Sequence, residues 1–197
     1  SVYDVNSLYP SVMYYKPLPY GIPKWFTGEP DETDDKYPLY VVSITFTAKL
    51  KENHLPTIQV KSHPIFIETE YVREITEPET MVLTNVDLEL WSKQYDLDIL
   101  SWNGGWKFKS KVGFFRDYID KWSKIKNESK GGRRLIAKLH LNSLYGKFAT
   151  NPDVTGKMPY LEDGIVKLRN NEEETRNPVY TAMGVFITAY GRHITIT

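Results

Sequence analysis

Lys138-Leu139-His140-Leu141-Asn142-Ser143-Leu144-Tyr145-Gly146 decides how this chain is read. At helical period, Lys138, Asn142 and Tyr145 fall at i, i+4 and i+7 and share one face. Lys138 offers a point charge for phosphate, and Tyr145 a ring to stack on a base or sugar. Gly146 costs a helix roughly 1 kcal/mol relative to Ala, which suggests that something approaches the backbone closely there. A capped amphipathic helix with a solvated lysine accounts for the same residues without any ligand.

The surroundings of this stretch are basic. Between Lys107 and Lys147 stand twelve Lys and Arg residues against Asp117, Asp120 and Glu128, a local charge of +9. The remainder holds 13 basic and 22 acidic residues, or −9, so the formal net charge of zero hides a segregation. A separated basic stretch is the footprint of a phosphate-rich partner; a solvated helix face is the plainer explanation. Phe114, Phe115, Tyr118, Ile119, Trp122 and Ile125 recur at helical spacing. Ser129-Lys130-Gly131-Gly132 breaks the pattern, and a second helix follows from about Arg133 to Phe148, with Leu135, Ile136, Leu139 and Leu144 as core candidates. Two helices joined by a short glycine turn make an antiparallel hairpin. Lys126, on the first helix near the turn, can join Lys138 at one set of phosphates.

Tyr3-Asp4-Val5-Asn6-Ser7-Leu8-Tyr9-Pro10 carries complementary chemistry. Asp4 ends the apolar strand Val2–Val5, and a short helix to about Tyr15 follows, capped by Asn6 or Ser7, with Pro10 tolerated in its first turn. Amides at such a helix start face an anion, and Mg²⁺ is held by one or two carboxylates together with phosphate oxygens. Asp4 can therefore grip a triphosphate through metal, with the amides around Ser7 and Leu8 on the phosphates and Tyr9 beside the sugar. Ordinary turn formers and a packed aromatic explain the segment equally simply.

Elsewhere, Pro17, Pro19, Gly21 and Pro23 break regularity, residues 27–38 form an acidic loop, and Tyr40–Leu50 alternates as a strand. Pro56–Val60 and Ile65–Val72 are further strand candidates. Thr84-Asn85-Val86-Asp87 resembles a capping box, opening a helix to about Tyr95 with Val86, Leu90 and Trp91 inward. Asp98–Trp102 and Trp106–Lys109 read as strands around a Gly104-Gly105 turn. Lys157–Leu161 and Ile165–Leu168 form a hairpin about Asp163-Gly164, Glu172–Arg176 is a polar loop, and Tyr180–Thr197 is helical, with Ala182, Val185, Phe186, Ala189 and Tyr190 on one face.

Bulk properties are those of a soluble globular chain: 197 residues, 41% hydrophobic and 25% charged, long enough for one or two cores. No apolar run is long enough to span a bilayer, and no signal peptide is visible. The absence of cysteine excludes disulfides, thiolate metal sites and a cysteine nucleophile, and fits a reducing compartment.

Together, in this order, the two segments resemble motifs A and B of the family B DNA polymerases: D-x-x-S-L-Y-P at Asp4–Pro10 and K-x-x-x-N-S-x-Y-G at Lys138–Gly146. Thr188-Ala189-Tyr190-Gly191-Arg192 is similar to the T-x-x-G-R block of the protein-primed branch. The longer runs Val2–Pro10 and Lys138–Pro159 resemble the polymerases of small tailed phages that start replication from a terminal protein. The resemblance covers essentially the whole chain.

It implies an α+β fold. Residues 1–15 and 181–197 become pieces of the palm, and 16–113 an inserted mixed α/β subdomain like the first terminal-protein region. Residues 114–149 become the fingers hairpin, and 150–180 a β-hairpin like the second terminal-protein region, which helps encircle DNA and separate strands. It also implies roles. Asp4 is a catalytic metal carboxylate and the Val5 backbone carbonyl a metal ligand. The Ser7 and Leu8 amides hold triphosphate, and Tyr9 is the steric gate against a ribose 2′-OH. Lys126 and Lys138 bind phosphates, Asn142, Tyr145 and Gly146 line the nucleotide pocket, and Ser143, Lys147, Phe148, Thr188 and Arg192 contact DNA. Two Mg²⁺ or Mn²⁺ ions serve the complete enzyme. The implied partners are dNTP, primer–template DNA and a terminal protein, in a host-cell cytoplasm and without a membrane.

The family's second metal cluster, a Y-x-D-T-D-S strand, does not occur in these residues. Tyr95-Asp96-Leu97-Asp98 lacks its Thr-Asp and lies between motifs A and B. Asp87-Leu88-Glu89 mimics an exonuclease D-x-E, but on a predicted helix i and i+2 do not face each other. Asn127-Glu128-Ser129 matches a glycosylation sequon without any sign of secretion, and the four histidines show no metal spacing. The expectation is therefore a central polymerase portion, inactive alone; the alternative is a non-enzymatic DNA- or terminal-protein-binding module. Self-association through apolar surface exposed by missing palm and exonuclease contacts is a further expectation.

Overall fold

The computed structural model describes residues 7–60, 70–150, 153–175, 177 and 179–196. Within them run α1 (Leu8–Tyr15), β1 (Leu18–Phe26), β2 (Leu39–Leu50), β3 (Gln59–Val60), β4 (Glu70–Tyr71) and β5 (Glu74–Thr84). There follow α2 (Asn85–Gln94), β6 (Tyr95–Lys111), α3 (Arg116–Glu128), α4 (Gly131–Phe148), β7 (Asp153–Glu162), β8 (Ile165–Thr175) and α5 (Thr181–Ile196). The architecture is the expected α+β. The strand expected at Val2–Val5 and most of Ile65–Val72 lie outside the described residues.

β1, β6, β2 and β5 form an antiparallel sheet in that order. Two of its strands were not expected, and both are proline-bearing edges. In β1, Gly21, Ile22 and Pro23 stand outside the pairing between Tyr20↔Lys109 and Lys24↔Lys107. In β5, Thr76, Glu77 and Pro78 do the same between Glu79↔Phe46 and Ile75↔Ala48. Proline lacks the amide a ladder needs, so an edge or a bulge is where a strand accepts it.

Gly104-Gly105 is not a turn. β6 runs unbroken through both glycines, because they lie where neighbouring backbones press closest. A Cβ on Gly105 would stand 2.0 Å from the Val41 carbonyl oxygen, and one on Gly104 2.6 Å from that of Phe26. Glu172–Thr175 likewise belong to a strand, β8, whose pairing with β7 needs no buried face. Pro56–Val60 reduces to the short β3. The β7–β8 turn is as expected: Asp163 and Gly164 take φ values of 53° and 76°, the left-handed pair of a two-residue hairpin turn.

The cap of α2 forms as read. The Thr84 hydroxyl accepts from the Asp87 amide at 3.1 Å and donates to the Asp87 carboxylate at 2.9 Å. Ser7 precedes α1 in a left-handed conformation (φ 58°) without a capping hydrogen bond, a departure from the expected cap. The first turn of α1 needs no amide from Pro10, since the helix begins with the Ser11 amide on the Ser7 carbonyl at 2.9 Å.

The described residues form two apolar cores. Alternate β2 residues Tyr40, Val42, Ile44, Phe46 and Ala48 pack with Leu83, Leu88, Trp91 and Tyr95 beneath α2. The second core joins Val12, Met13, Ile119, Leu141, Phe186, Ile187 and Tyr190 to Leu18, Leu39, Val86 and Phe108. Residues of the 16–113 block thus share a core with α1, α3, α4 and α5. On α4 the expected core set is displaced: Leu135, Ile136 and Leu139 are exposed, and Ala137 and Leu141 are buried. The apolar packing of the helical hairpin on the body lies in its lower half, and nearer the tip Lys126 reaches Ser7. On α5 Val185 is exposed, while Phe186, Ala189 and Tyr190 are buried as expected. No helix of the described residues is long and apolar enough to cross a membrane.

Candidate functional site

Four segments distant in sequence meet at the start of α1. Packing of α1 on α4 and α5 brings the Tyr9 ring onto Tyr145, 4.4 Å between centroids and 27° from parallel. Gly191 backs this pair, since a Cβ there would stand 3.1 Å from Tyr9 Cε1. From α3, Lys126 Nζ donates to Ser7 Oγ at 3.5 Å. Burial pushes the Tyr145 phenol above its usual range, Tyr9 adds to the shift, and Arg192 opposes it.

Lys138 and Asn142 are exposed on α4 and Tyr145 is half-buried, so the expected stripe runs from solvent down to the Tyr9 stack. Ser143 and Lys147 are also exposed, and Ser143 Oγ turns back to the His140 carbonyl at 3.4 Å. Gly146 does not relieve a close approach within the chain, since a Cβ there meets nothing within 4 Å. Phe148 is half-buried, edge-on to Phe115 at 5.5 Å. It shares an open crevice of about 380 Å³ with Tyr145, Thr150, Thr181, Gly184 and Thr188. Gly184 lets α5 close on α4, where its Cβ would stand 3.0 Å from the Phe148 carbonyl oxygen. Thr188 donates within its own helix, to Gly184 or Val185 oxygens at 3.1 and 2.8 Å.

Arg192 turns toward α2. Its Nε and Nη2 each lie 2.9 Å from a carboxylate oxygen of Asp87, which is buried and also held by Thr84. The residue that mimicked an exonuclease carboxylate is thus the anchor of an arginine. Asp4 and Val5 lie outside the described residues, and among those described no group of three His, Cys, Asp or Glu side chains gathers to hold a metal.

The arrangement suits a phosphorylated, planar ligand. A helix start beside the Lys126 ammonium is a positive site of the kind that can receive an anion, and two stacked phenols offer an aromatic wall. Gly191 joins the site through a contact that nothing local in the sequence marks, because the ring it accommodates is remote along the chain.

Comparison with known proteins gives the context. A family model described as DNA polymerase type B, organellar and viral, matches residues 1–197. The DNA polymerase of Bacillus phage Nf is 54% identical over the whole chain, which spans 34% of that protein. Bacillus phage phi29 gives 52% identity with 100% of this chain and 34% of the relative covered. Streptococcus phage Cp-1 gives 38%, with 100% and 36% covered. The chain therefore spans about a third of the length of the curated relatives it matches. Phi29 DNA polymerase complexed with primer-template DNA and incoming nucleotide substrates superposes with a TM-score of 0.90 at 51% identity, over 98% of this chain and 34% of that one. Its complex with single-stranded DNA gives 0.86 at 50% identity, over 98% and 33%.

Proposed function

This chain belongs to the type B DNA polymerases of organellar and viral kind, and on that premise we propose that it forms the nucleotide-gripping part of a protein-primed, template-directed DNA polymerase. The meeting of Tyr9, Tyr145 and Gly191 beside the Lys126–Ser7 contact carries this reading. It brings together Ser7 and Tyr9 of the D-x-x-S-L-Y-P segment, Tyr145 of K-x-x-x-N-S-x-Y-G and Gly191 of T-x-x-G-R. Known structures of a relative with primer-template DNA and nucleotides support DNA and dNTP as partners. Terminal protein as primer extends the proposal through the resemblance of residues 16–113 and 150–180 to the insertions of that branch.

In the proposed reaction a primer 3′-OH, or a terminal-protein hydroxyl in initiation, attacks the α-phosphorus in line, and pyrophosphate leaves. Lys126 and Lys138 hold the phosphates with the Ser7 and Leu8 amides. The Tyr9–Tyr145 wall orients the sugar, and Tyr9 excludes a 2′-OH. Asn142 and Gly146 border the nucleotide, and Ser143, Lys147, Phe148, Thr188 and Arg192 lie along the DNA path. Asp4 and the Val5 carbonyl would hold Mg²⁺ or Mn²⁺, which supplies Lewis-acid charge on phosphate oxygens. The anion-facing start of α1 beside Lys126 fits such a shared ligand.

The complete activity is assigned to the longer protein that contains this stretch. The 197 residues alone bring one matching metal carboxylate, Asp4, and are expected not to extend a primer. In the full-length polymerase, Lys138→Ala should raise KM for dNTP about 10- to 100-fold, the worth of a charge-assisted phosphate contact. An unchanged KM would remove Lys138 from the site. Primer extension by the isolated 197 residues with Mg²⁺ would overturn the expected inactivity.

A further inference from the structure

Tyr118, Trp122 and Lys126 succeed one another at four-residue steps along α3. On α4, His140 stands between Lys138 and Asn142, two residues from each. At 3.6 residues per turn, two residues turn a helix by about 200°. His140 therefore lies nearly opposite the stripe carrying Lys138 and Asn142.

The His140 ring lies flat on Trp122, with centroids 3.8 Å apart and planes 10° from parallel. Tyr118 meets the same imidazole edge-on at 6.5 Å. Its hydroxyl oxygen is 3.2 Å from His140 Nδ1 and 3.3 Å from the His140 carbonyl oxygen. At the tip of the hairpin, Arg134 Nη1 donates to the Lys126 carbonyl at 3.0 Å; at its base, Phe115 meets Phe148. From the tip down to the Tyr145–Tyr9 stack, α4 buries only Ala137 and Leu141, with Leu144 half-buried, while Leu135, Ile136 and Leu139 are 59%, 53% and 58% exposed. Small apolar contacts tolerate rotation of a helix about its axis. A parallel stack with a hydrogen bond at the ring edge does not, because a small rotation breaks both.

We infer that His140 is a positioning residue: stacked on Trp122 and bonded to Tyr118, it fixes the rotation of α4 so that Lys138 and Asn142 face the nucleotide in register with Lys126. The inference rests on the nucleotide-binding reading above.

The test uses the full-length polymerase with His140→Leu, which keeps bulk and loses the plane, and His140→Phe, which keeps the plane. His140→Leu should raise KM for dNTP about tenfold with a smaller change in kcat, the split expected when binding alone is misaligned. It should also speed amide hydrogen exchange in residues 131–148, and His140→Phe should restore most of both. The inference fails if His140→Leu leaves KM within twofold of wild type, or if Phe rescues neither readout. It fails equally if kcat, KM and primer–template affinity all collapse together with the melting temperature, the mark of a purely structural residue. A wild-type full-length chain that does not extend primers would sink the polymerase reading instead. Hydrogen exchange in the two variants would then still decide whether His140 sets the α4 register.

Discussion

Gly191 has room for a hydrogen and little more. Gly191→Ala gains about 1 kcal/mol of helix propensity and loses a comparable amount, on the order of 1 kcal/mol, because a methyl 3.1 Å from Tyr9 Cε1 makes the ring give way slightly. The two effects nearly offset in stability, so the expected outcome is a small change in melting temperature with a several-fold higher KM for dNTP in the full-length polymerase. A variant with wild-type KM would show that the ring yields freely. Tyr40 offers a pH readout. Burial first, then the charge and hydrogen bond of Glu32, push its phenol from an ordinary 10.0 to about 12. The native state thus keeps a proton that the unfolded chain releases, so stability falls as pH rises from 10 towards 12. Tyr40→Phe should flatten that alkaline slope in chemical denaturation; an unchanged slope would assign it to other groups. At this scale the sequence displayed charges and rings with their spacing. It did not display partners: that Arg192 faces Asp87, or that Tyr9 lies on Tyr145, depends on helices brought together from far along the chain.

At the scale of elements, helices were the most legible. Period and caps located α2 through α5 because an amphipathic stripe and a Thr84–Asp87 cap are local signals. Strands were legible only where they alternated, as β2 does, or where turn chemistry marked them, as Asp163-Gly164 does. β1 and β5 were hidden by prolines that read as breaks, and β6 by a glycine pair that reads as a turn. The exposed Leu135, Ile136 and Leu139 misled for another reason, since helical period says that a face is apolar, not that anything lies against it. The glycine pair yields a sharp prediction. The Val41 carbonyl that a Gly105 methyl would strike belongs to the paired backbone of β2 and cannot swing aside. Gly105→Ala should cost more than about 3 kcal/mol, whereas Gly132→Ala, with nothing within 4 Å, should be neutral or stabilising by up to about 1 kcal/mol. Thermal melts of the two variants check this, and equal melting temperatures would refute the close-approach account.

For the molecule as a whole, the shared core ties the sheet to the helices, while the β7–β8 hairpin stands apart, with nearly all its described side chains exposed. Replacing residues 154–174 of the full-length polymerase with a short glycine linker should shift the melting temperature by less than about 4 °C, the equivalent of roughly 1 kcal/mol. Extension on a single-stranded template should persist while extension through duplex DNA slows. A large drop in melting temperature would reveal packing that the exposed strands do not suggest. The sheet has one more consequence, for the behaviour of the chain at high concentration. A four-stranded antiparallel sheet offers two open rims, and an open rim invites a second molecule to add a strand. Here both rims are interrupted, by Gly21-Ile22-Pro23 on one side and Thr76-Glu77-Pro78 on the other. Irregular, proline-bearing edges of this kind oppose the addition of a further strand. Straightening one rim with Pro78→Val should therefore raise light scattering on prolonged incubation, with native activity per folded molecule unchanged.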